Sequence, residues 1–174
     1  MSREEGTVII RQGRLSDLSA VSRIESLSFE DPWPDTALGG ELLADDLRLP
    51  LVALVAGQVD GPTDEQPGVQ PGEQLGGYLM SWKVADQLHV LNVAVDPGSL
   101  RCGIATALLR EAARLAHDLG LLEMTLEVRR GNDPALAFYL RHGFIEVGVR
   151  EGYYSQTGED ALIMNCPVES LIKP

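Results

Sequence analysis

The chain has 174 residues, 44% of them hydrophobic, and a formal net charge of −12. This length suits one domain able to bury a sizeable core. No apolar run approaches the roughly 18 residues of a membrane span, and the anionic balance argues against a nucleic-acid partner, whose phosphates call for Lys and Arg. The segment Met1–Gly6 lacks the apolar centre of a signal peptide. Two cysteines, Cys102 and Cys166, make neither a disulfide framework nor a metal site. A cytoplasmic, reduced, metal-free protein is expected. The charge is uneven: residues 1–76 carry net −9 and residues 77–174 net −3. An acidic N-terminal part would attract a basic partner, although solubility accounts for most such carboxylates.

In chain order, Thr7–Arg11 reads as a short strand. Ser16 can cap a helix to about Phe29, with Leu18, Val21, Ile24 and Leu27 at helical spacing. Asp31-Pro32-Trp33-Pro34 breaks it, and Asp35 can cap a second helix to about Leu47. Leu51–Ala56 is an apolar strand. Gly57–Gln74, rich in Gly, Pro, Gln and acids, should be a mobile loop joining two antiparallel strands, because Leu75–Val84 resumes a strand pattern. After a turn at Asp86-Gln87, Leu88–Val95 is apolar apart from His89 and Asn92, the pattern of a central strand buried on both faces.

Gly103–Leu119 is the strongest helix. Ile104, Leu108, Ala112, Leu115 and Leu119 share one face, and Gly120 closes it. Leu122–Val128 is a strand, and Asn132–His142 a short helix capped by Asn132 with Pro134 in its first turn. Phe144–Arg150 and Asp160–Cys166 are two further strands. The order βαα-βββ-αβ-αββ describes a mixed α/β domain without internal repeats.

The most informative stretch is Val93–Thr106. An apolar strand ends at Asp96-Pro97, a short turn follows, and Gly103 opens a helix. The first turn of a helix leaves N–H donors unpaired and carries partial positive charge, so a phosphate-bearing ligand fits here. G-x-x-x-x-G-K-[ST] and G-x-G-x-x-G are both absent, which removes the common nucleotide folds. By itself the junction also fits an ordinary strand-to-helix turn.

The wider pattern resembles a known family. Leu91-Asn92-Val93-Ala94-Val95-Asp96-Pro97, Leu126-Glu127-Val128-Arg129, Asn132, Ala137-Phe138-Tyr139 and His142-Gly143-Phe144 occur in the order and spacing of the Gcn5-related N-acetyltransferases. Tyr153-Tyr154 and Gly158-Glu159-Asp160-Ala161-Leu162-Ile163-Met164, with Phe29 and Pro32-Trp33, are similar to the subfamily that acetylates the N-terminal alanine of a small-subunit ribosomal protein, the RimI type. The resemblance covers about residues 7–167. Leu100 stands where the family usually has Gln or Arg, Ala105 where Gly is commoner, Ser155-Gln156 where the subfamily often has proline, and the 57–74 loop is longer than usual.

The resemblance implies a splayed, mostly antiparallel sheet of about seven strands flanked by about four helices. It also implies acetyl-coenzyme A as co-substrate and direct attack by the amine without an acyl-enzyme. The cofactor would lie on Val93, Ala94 and Val95, pairing with its pantetheine arm. Its pyrophosphate would meet Arg101, Cys102, Gly103, Ile104, Ala105 and Thr106, and Asn132 could add an amide contact. A side chain at Gly103 would obstruct the phosphates. Glu127 is the implied general base and Tyr139, 12 residues on, the implied acid for the thiolate. Ordinary alternatives are a strand carboxylate paired with Arg129 and a core-edge tyrosine. Trp33, Tyr153 and Tyr154 would wall the acceptor groove, or serve as core. The expected acceptor is the N-terminus of a basic ribosomal protein with a small first residue. A small-molecule amine or lysine side chains are the alternative acceptors, and a catalytically silent cofactor-binding module is a further alternative. Cys102 is not expected to act as a nucleophile, and His89, His117 and His142 show no ligand spacing.

Overall fold

The computed structural model describes residues 8–56 and 73–172. The elements run β1 (Ile9–Gln12), α1 (Leu18–Ser28), α2 (Asp35–Leu42), β2 (Leu51–Ala56), β3 (Glu73–Val84), β4 (Gln87–Val95), α3 (Ile104–Asp118), β5 (Glu123–Arg129), α4 (Asp133–Arg141), β6 (Ile145–Tyr154), β7 (Glu159–Pro167) and α5 (Val168–Ile172). Hydrogen bonding orders the seven strands β1-β2-β3-β4-β5-β7-β6. The β4–β5 pair is parallel, whereas β1–β2, β2–β3, β5–β7 and β6–β7 are antiparallel. This is the mixed, mostly antiparallel sheet expected. Among the described residues there are five helices, where about four were expected; α5 has five residues, too few to show a helical period. Residues 57–72 of the expected loop, and Thr7 of the expected first strand, lie outside the described residues. The loop's last two residues, Glu73 and Gln74, belong to β3 and pair with Ala56 and Val55.

Two compact units emerge, one of residues up to Ser81 with Asn92–Glu111, the other of Trp82–Leu91 with Ala112 onward. In the first unit, Asp17 rather than Ser16 organises the entry to α1. Its buried carboxylate takes two 2.8 Å bonds from the Arg11 guanidinium and one from the Arg14 N–H. A short 3-10 turn at Leu15–Asp17 therefore precedes the helix. Helix α1 buries Ala20, Val21, Ile24 and Glu25, while Leu27, expected on the apolar face, is 57% exposed. Helix α2 stops at Leu42, short of Leu47. Asp45 Oδ1 accepts from the N–H groups of Leu47 and Arg48, an alternative to helical bonding that Asp side chains favour in turns.

Gly76 and Gly77 of β3 decide where α3 begins. A Cβ on Gly77 would stand 2.8 Å from Ile104 Cγ2 and 2.9 Å from the Ala94 carbonyl oxygen, and one on Gly76 would stand 3.0 Å from Ile104 Cδ1. The bare backbone lets Ile104, 1% exposed, seat on the strand. The Gly76 carbonyl also accepts from the Asp96 N–H at 2.8 Å.

In the second unit, the β3–β4 turn falls at Ala85-Asp86 rather than Asp86-Gln87, with Ala85 at φ 53°. The β4–β5 register runs from Gln87↔Glu123 to Val90↔Leu126, and both strands continue beyond it. Strand β4 is not buried on both faces: Leu88, Val90 and Ala94 are buried, while His89, Leu91, Val93 and Val95 are half-buried. Helix α3 closes at Gly120, φ +75°, whose N–H reaches the His117 carbonyl, though Leu119 is 55% exposed. Asn132 caps α4 as expected, its Oδ1 accepting from the Ala135 N–H at 3.2 Å. Strands β6 and β7 run four and one residues past their expected ends.

Gly77→Ala should destabilise the protein by about 1–3 kcal/mol, because the new methyl meets backbone on one side and a packed Ile on the other. Chemical denaturation measures it. Gly152→Ala, with open space around its Cβ position but φ +59°, should cost only the backbone strain, about 1 kcal/mol.

Candidate active site

In the first unit, the strand-turn-helix junction is built as the sequence suggested. Asp96 Oδ1 accepts from the Gly98 N–H at 2.8 Å and its Oδ2 meets Arg23 Nη2 at 2.5 Å. A 3-10 turn at Pro97–Ser99 follows. Arg101 and Gly103 then adopt φ +63° and +75°. Left-handed backbone at a non-glycine residue is uncommon and marks a strained turn. Arg101, Cys102 and Gly103 are exposed, Ile104 is buried, and Ala105 and Thr106 are half-buried. Helical bonding links the Ala107 N–H to the Gly103 carbonyl at 2.9 Å. A Cβ on Gly103 would touch nothing within 4 Å, so its positive φ calls for glycine and the space above it is open. Cys102 is a free, exposed thiol whose Sγ lies 3.7 Å from the Leu100 carbonyl.

Trp33 follows α1 at a half-buried position, and its N–H donates to Glu25 Oε1 at 2.9 Å. Glu25 is 1% exposed. Its other oxygen accepts from the Tyr78 hydroxyl and, at 2.9 Å, from Asn92 Nδ2. Burial, reinforced by the Glu25 carboxylate, pushes the Tyr78 phenol far above its ordinary range. Sequence reading missed Glu25. Its partners lie 53 and 67 residues away, and the only local signal was an acid on the apolar side of α1.

In the second unit, Glu127 of β5 is half-buried and paired with Arg150 Nη2 of β6 at 3.1 Å, not with Arg129. Arg129 stacks 3.8 Å above the Tyr154 ring and reaches Glu159 at 3.4 Å. Tyr154 feels the charges of Arg129, Glu127 and Glu159, and desolvation raises its pKa. Tyr153, 46% exposed, meets Tyr154 edge-on at 5.2 Å, with Arg150 over it at 5.4 Å. Tyr139 packs edge-on against Phe138 and Phe144 at 5.3 and 5.4 Å. Burial, with the neighbouring Tyr154, pushes its phenol up to about 12. Asn132 is exposed, and its amide oxygen serves the α4 cap. The structure thus gathers Glu127, Arg150, Tyr153, Tyr154 and Tyr139 within one unit. Among the described residues no three His, Cys, Asp or Glu side chains cluster as a metal site, and no helix is long and apolar enough to cross a membrane.

The acetyltransferase (GNAT) family matches residues 19–144. The chain belongs to this family. It is an N-acetyltransferase. The N-alpha-acetyltransferase RimI of Mycobacterium tuberculosis is 32% identical, over 86% of this chain and 85% of its own. The [ribosomal protein bS18]-alanine N-acetyltransferase of Salmonella typhimurium is 29% identical, over 88% and 93%. The crystal structure of the Escherichia coli ribosomal-protein-S18-alanine N-acetyltransferase superposes with a TM-score of 0.74 at 26% identity, covering 93% of this chain and 94% of that one.

This GNAT protein should show tyrosine ionisation displaced to high pH. Tyr78, Tyr139 and Tyr154 all have raised values, so the folded state holds their protons where the unfolded chain, near pH 10, begins to release them. Their stabilisation is complete below about pH 10 and declines as pH rises from there through the folded values. Denaturation at pH 9, 10 and 11 should show falling stability, and Tyr139→Phe should reduce the slope.

Proposed function

We propose that this protein transfers the acetyl group of acetyl-coenzyme A to the α-amine of a protein N-terminus. The acceptor would carry a small first residue, as in the N-terminal alanine of a basic small-subunit ribosomal protein, within the cytoplasm. The observation that carries the reading is the open, glycine-initiated helix start of the first unit; within the second unit, Glu127 is paired with Arg150 and its charge reaches Tyr154. The RimI-type names of the relatives support the acceptor class.

Fit to the co-substrate rests on this chain's own atoms. The N–H groups at the start of α3, over the open space at Gly103, suit a pyrophosphate. The β4 segment Val93–Val95 lies past the β4–β5 register, leaving backbone that suits an amide-bearing pantetheine arm. Arg101 adds positive charge beside that turn. Asn132 has its Nδ2 available in addition to the cap.

Glu127 takes the proton of the α-ammonium, directly or through water. An α-amine titrates near about 7.7–8.0, against about 10.4 for lysine, so a carboxylate suffices with little tuning. The free amine attacks the thioester carbonyl, a backbone N–H of β4 steadies the oxyanion, and the C–S bond breaks. Tyr139 then gives its proton to the sulfur, and the second proton of the attacking nitrogen passes through water to restore the phenol, leaving the neutral amide and the free thiol. A phenol held at about 12 is fully protonated at working pH, as this role requires. Glu30, Asp31 and Asp35 are exposed around Trp33 and favour a basic peptide approaching that wall.

A peptide panel tests the acceptor: first residues Ala, Ser, Met or acetyl-blocked Ala, each with internal lysines. Free Ala and Ser peptides should be acetylated and the blocked one left intact. Strong acetylation of the blocked peptide would make lysine the acceptor. Glu127→Gln should lower turnover by about a hundredfold or more, least at high pH where solvent deprotonates the amine, and Tyr139→Phe should lower it with acetyl-coenzyme A affinity unchanged.

For the co-substrate, Gly103→Ala should weaken binding modestly, through a backbone penalty of about 1–2 kcal/mol. Gly103→Glu should abolish it through added charge in a protein that stays folded. Calorimetry giving equal affinity for the wild type and Gly103→Glu would contradict the site.

A further inference from the structure

Glu25 is a buried carboxylate of the first unit, 1% exposed, that the chemistry above leaves without a task. Three donors converge on it from three directions: the Trp33 N–H on Oε1, and the Tyr78 hydroxyl and Asn92 Nδ2 on Oε2. Asn92 also lies 3.2 Å from the Tyr78 hydroxyl. The carboxylate therefore ties together α1, the corner after it, β3 and β4. An acceptor-only side chain with two oxygens satisfies all three donors at once. A Gln supplies a single acceptor oxygen, so either the Trp33 N–H loses its acceptor or the Tyr78 hydroxyl and the Asn92 amide must both turn round to accept. A buried donor without a partner is costly.

Both ends of this tie belong to the proposed site. Asn92 immediately precedes the cofactor strand Val93–Val95, and Trp33 is the proposed acceptor wall. We propose that Glu25 is a positioning residue for the acceptor: it clamps the Trp33 corner to β4, fixing the wall at a set distance from the thioester. This rests on the acceptor reading above. Glu25 touches neither substrate, and Arg23–Asp96, on the other side of the same helix, anchors the pyrophosphate turn independently.

The test is Glu25→Gln in the full chain, with the N-terminal peptide and acetyl-coenzyme A each varied. Loss of a charge-assisted hydrogen bond at the corner should raise the peptide KM by about tenfold. The acetyl-coenzyme A KM should stay unchanged. Amide exchange at Trp33 should accelerate, with exchange in β3 and β4 unaltered. In a Trp33→Ala background, Glu25→Gln should add nothing to the peptide KM, since coupled residues are non-additive. Tyr78→Phe, which keeps the ring and removes one donor, should give a smaller effect of the same kind and carries the test if Glu25→Gln fails to fold. Equal rises in both KM values, additive effects with Trp33→Ala, or unchanged exchange at Trp33 would overturn the proposal. If the wild type acetylates no free N-terminus, the acceptor reading falls, while Trp33 exchange still decides whether Glu25 holds the corner.

Discussion

The seat of Ile104 on Gly76 and Gly77 is the constraint from which the strand-turn-helix junction follows. With no Cβ on either glycine, the start of α3 comes down onto β3, and Asp96 can reach the Gly76 carbonyl. The turn between strand and helix is thereby short, and its left-handed residues Arg101 and Gly103 are imposed by the need to reverse direction quickly. The space over Gly103, at the head of the helix, is left open. Packing of one apolar residue against bare backbone thus sets the helix start that is proposed above to receive the pyrophosphate.

The side chains proposed for catalysis obey a different logic. Glu127 sits in strand β5, within a register with β7 that holds from Glu123 to Arg129, so its direction is set by sheet pleat rather than by a loop. Arg150 neutralises it from β6, and Arg129 stacks on Tyr154 while reaching Glu159. Two arginines therefore balance two carboxylates around a pair of tyrosines. The set is polar but compensated, which lets a carboxylate and phenols be partly desolvated without an isolated buried charge. Tyr139, packed between Phe138 and Phe144, is held by one ring on its own helix and one in the connection just before β6.

Local signals were legible in the sequence and tertiary ones were not. Asp96-Pro97 and Gly103 mark the junction because turn and cap chemistry is written in adjacent residues, and the same holds for Asn132 at α4 and Gly120 after α3. The seven strands were found, with ends displaced by a few residues. Strand β4 was misjudged because an apolar run does not distinguish two buried faces from one buried and one half-buried face. Glu25, the Arg150 partner of Glu127 and the close approach at Gly76-Gly77 escaped notice because each depends on a residue brought from elsewhere in the chain. The family resemblance supplied roles for Glu127 and Tyr139 that spacing by itself does not give.

Amide hydrogen exchange with and without coenzyme A addresses the central claim, that the end of β4 and the start of α3 receive the co-substrate by backbone donors. The account predicts slowed exchange at Val93–Val95 and Arg101–Thr106, with little change in β1 and α2. Tight binding by calorimetry accompanied by protection elsewhere, and none at these two segments, would contradict it.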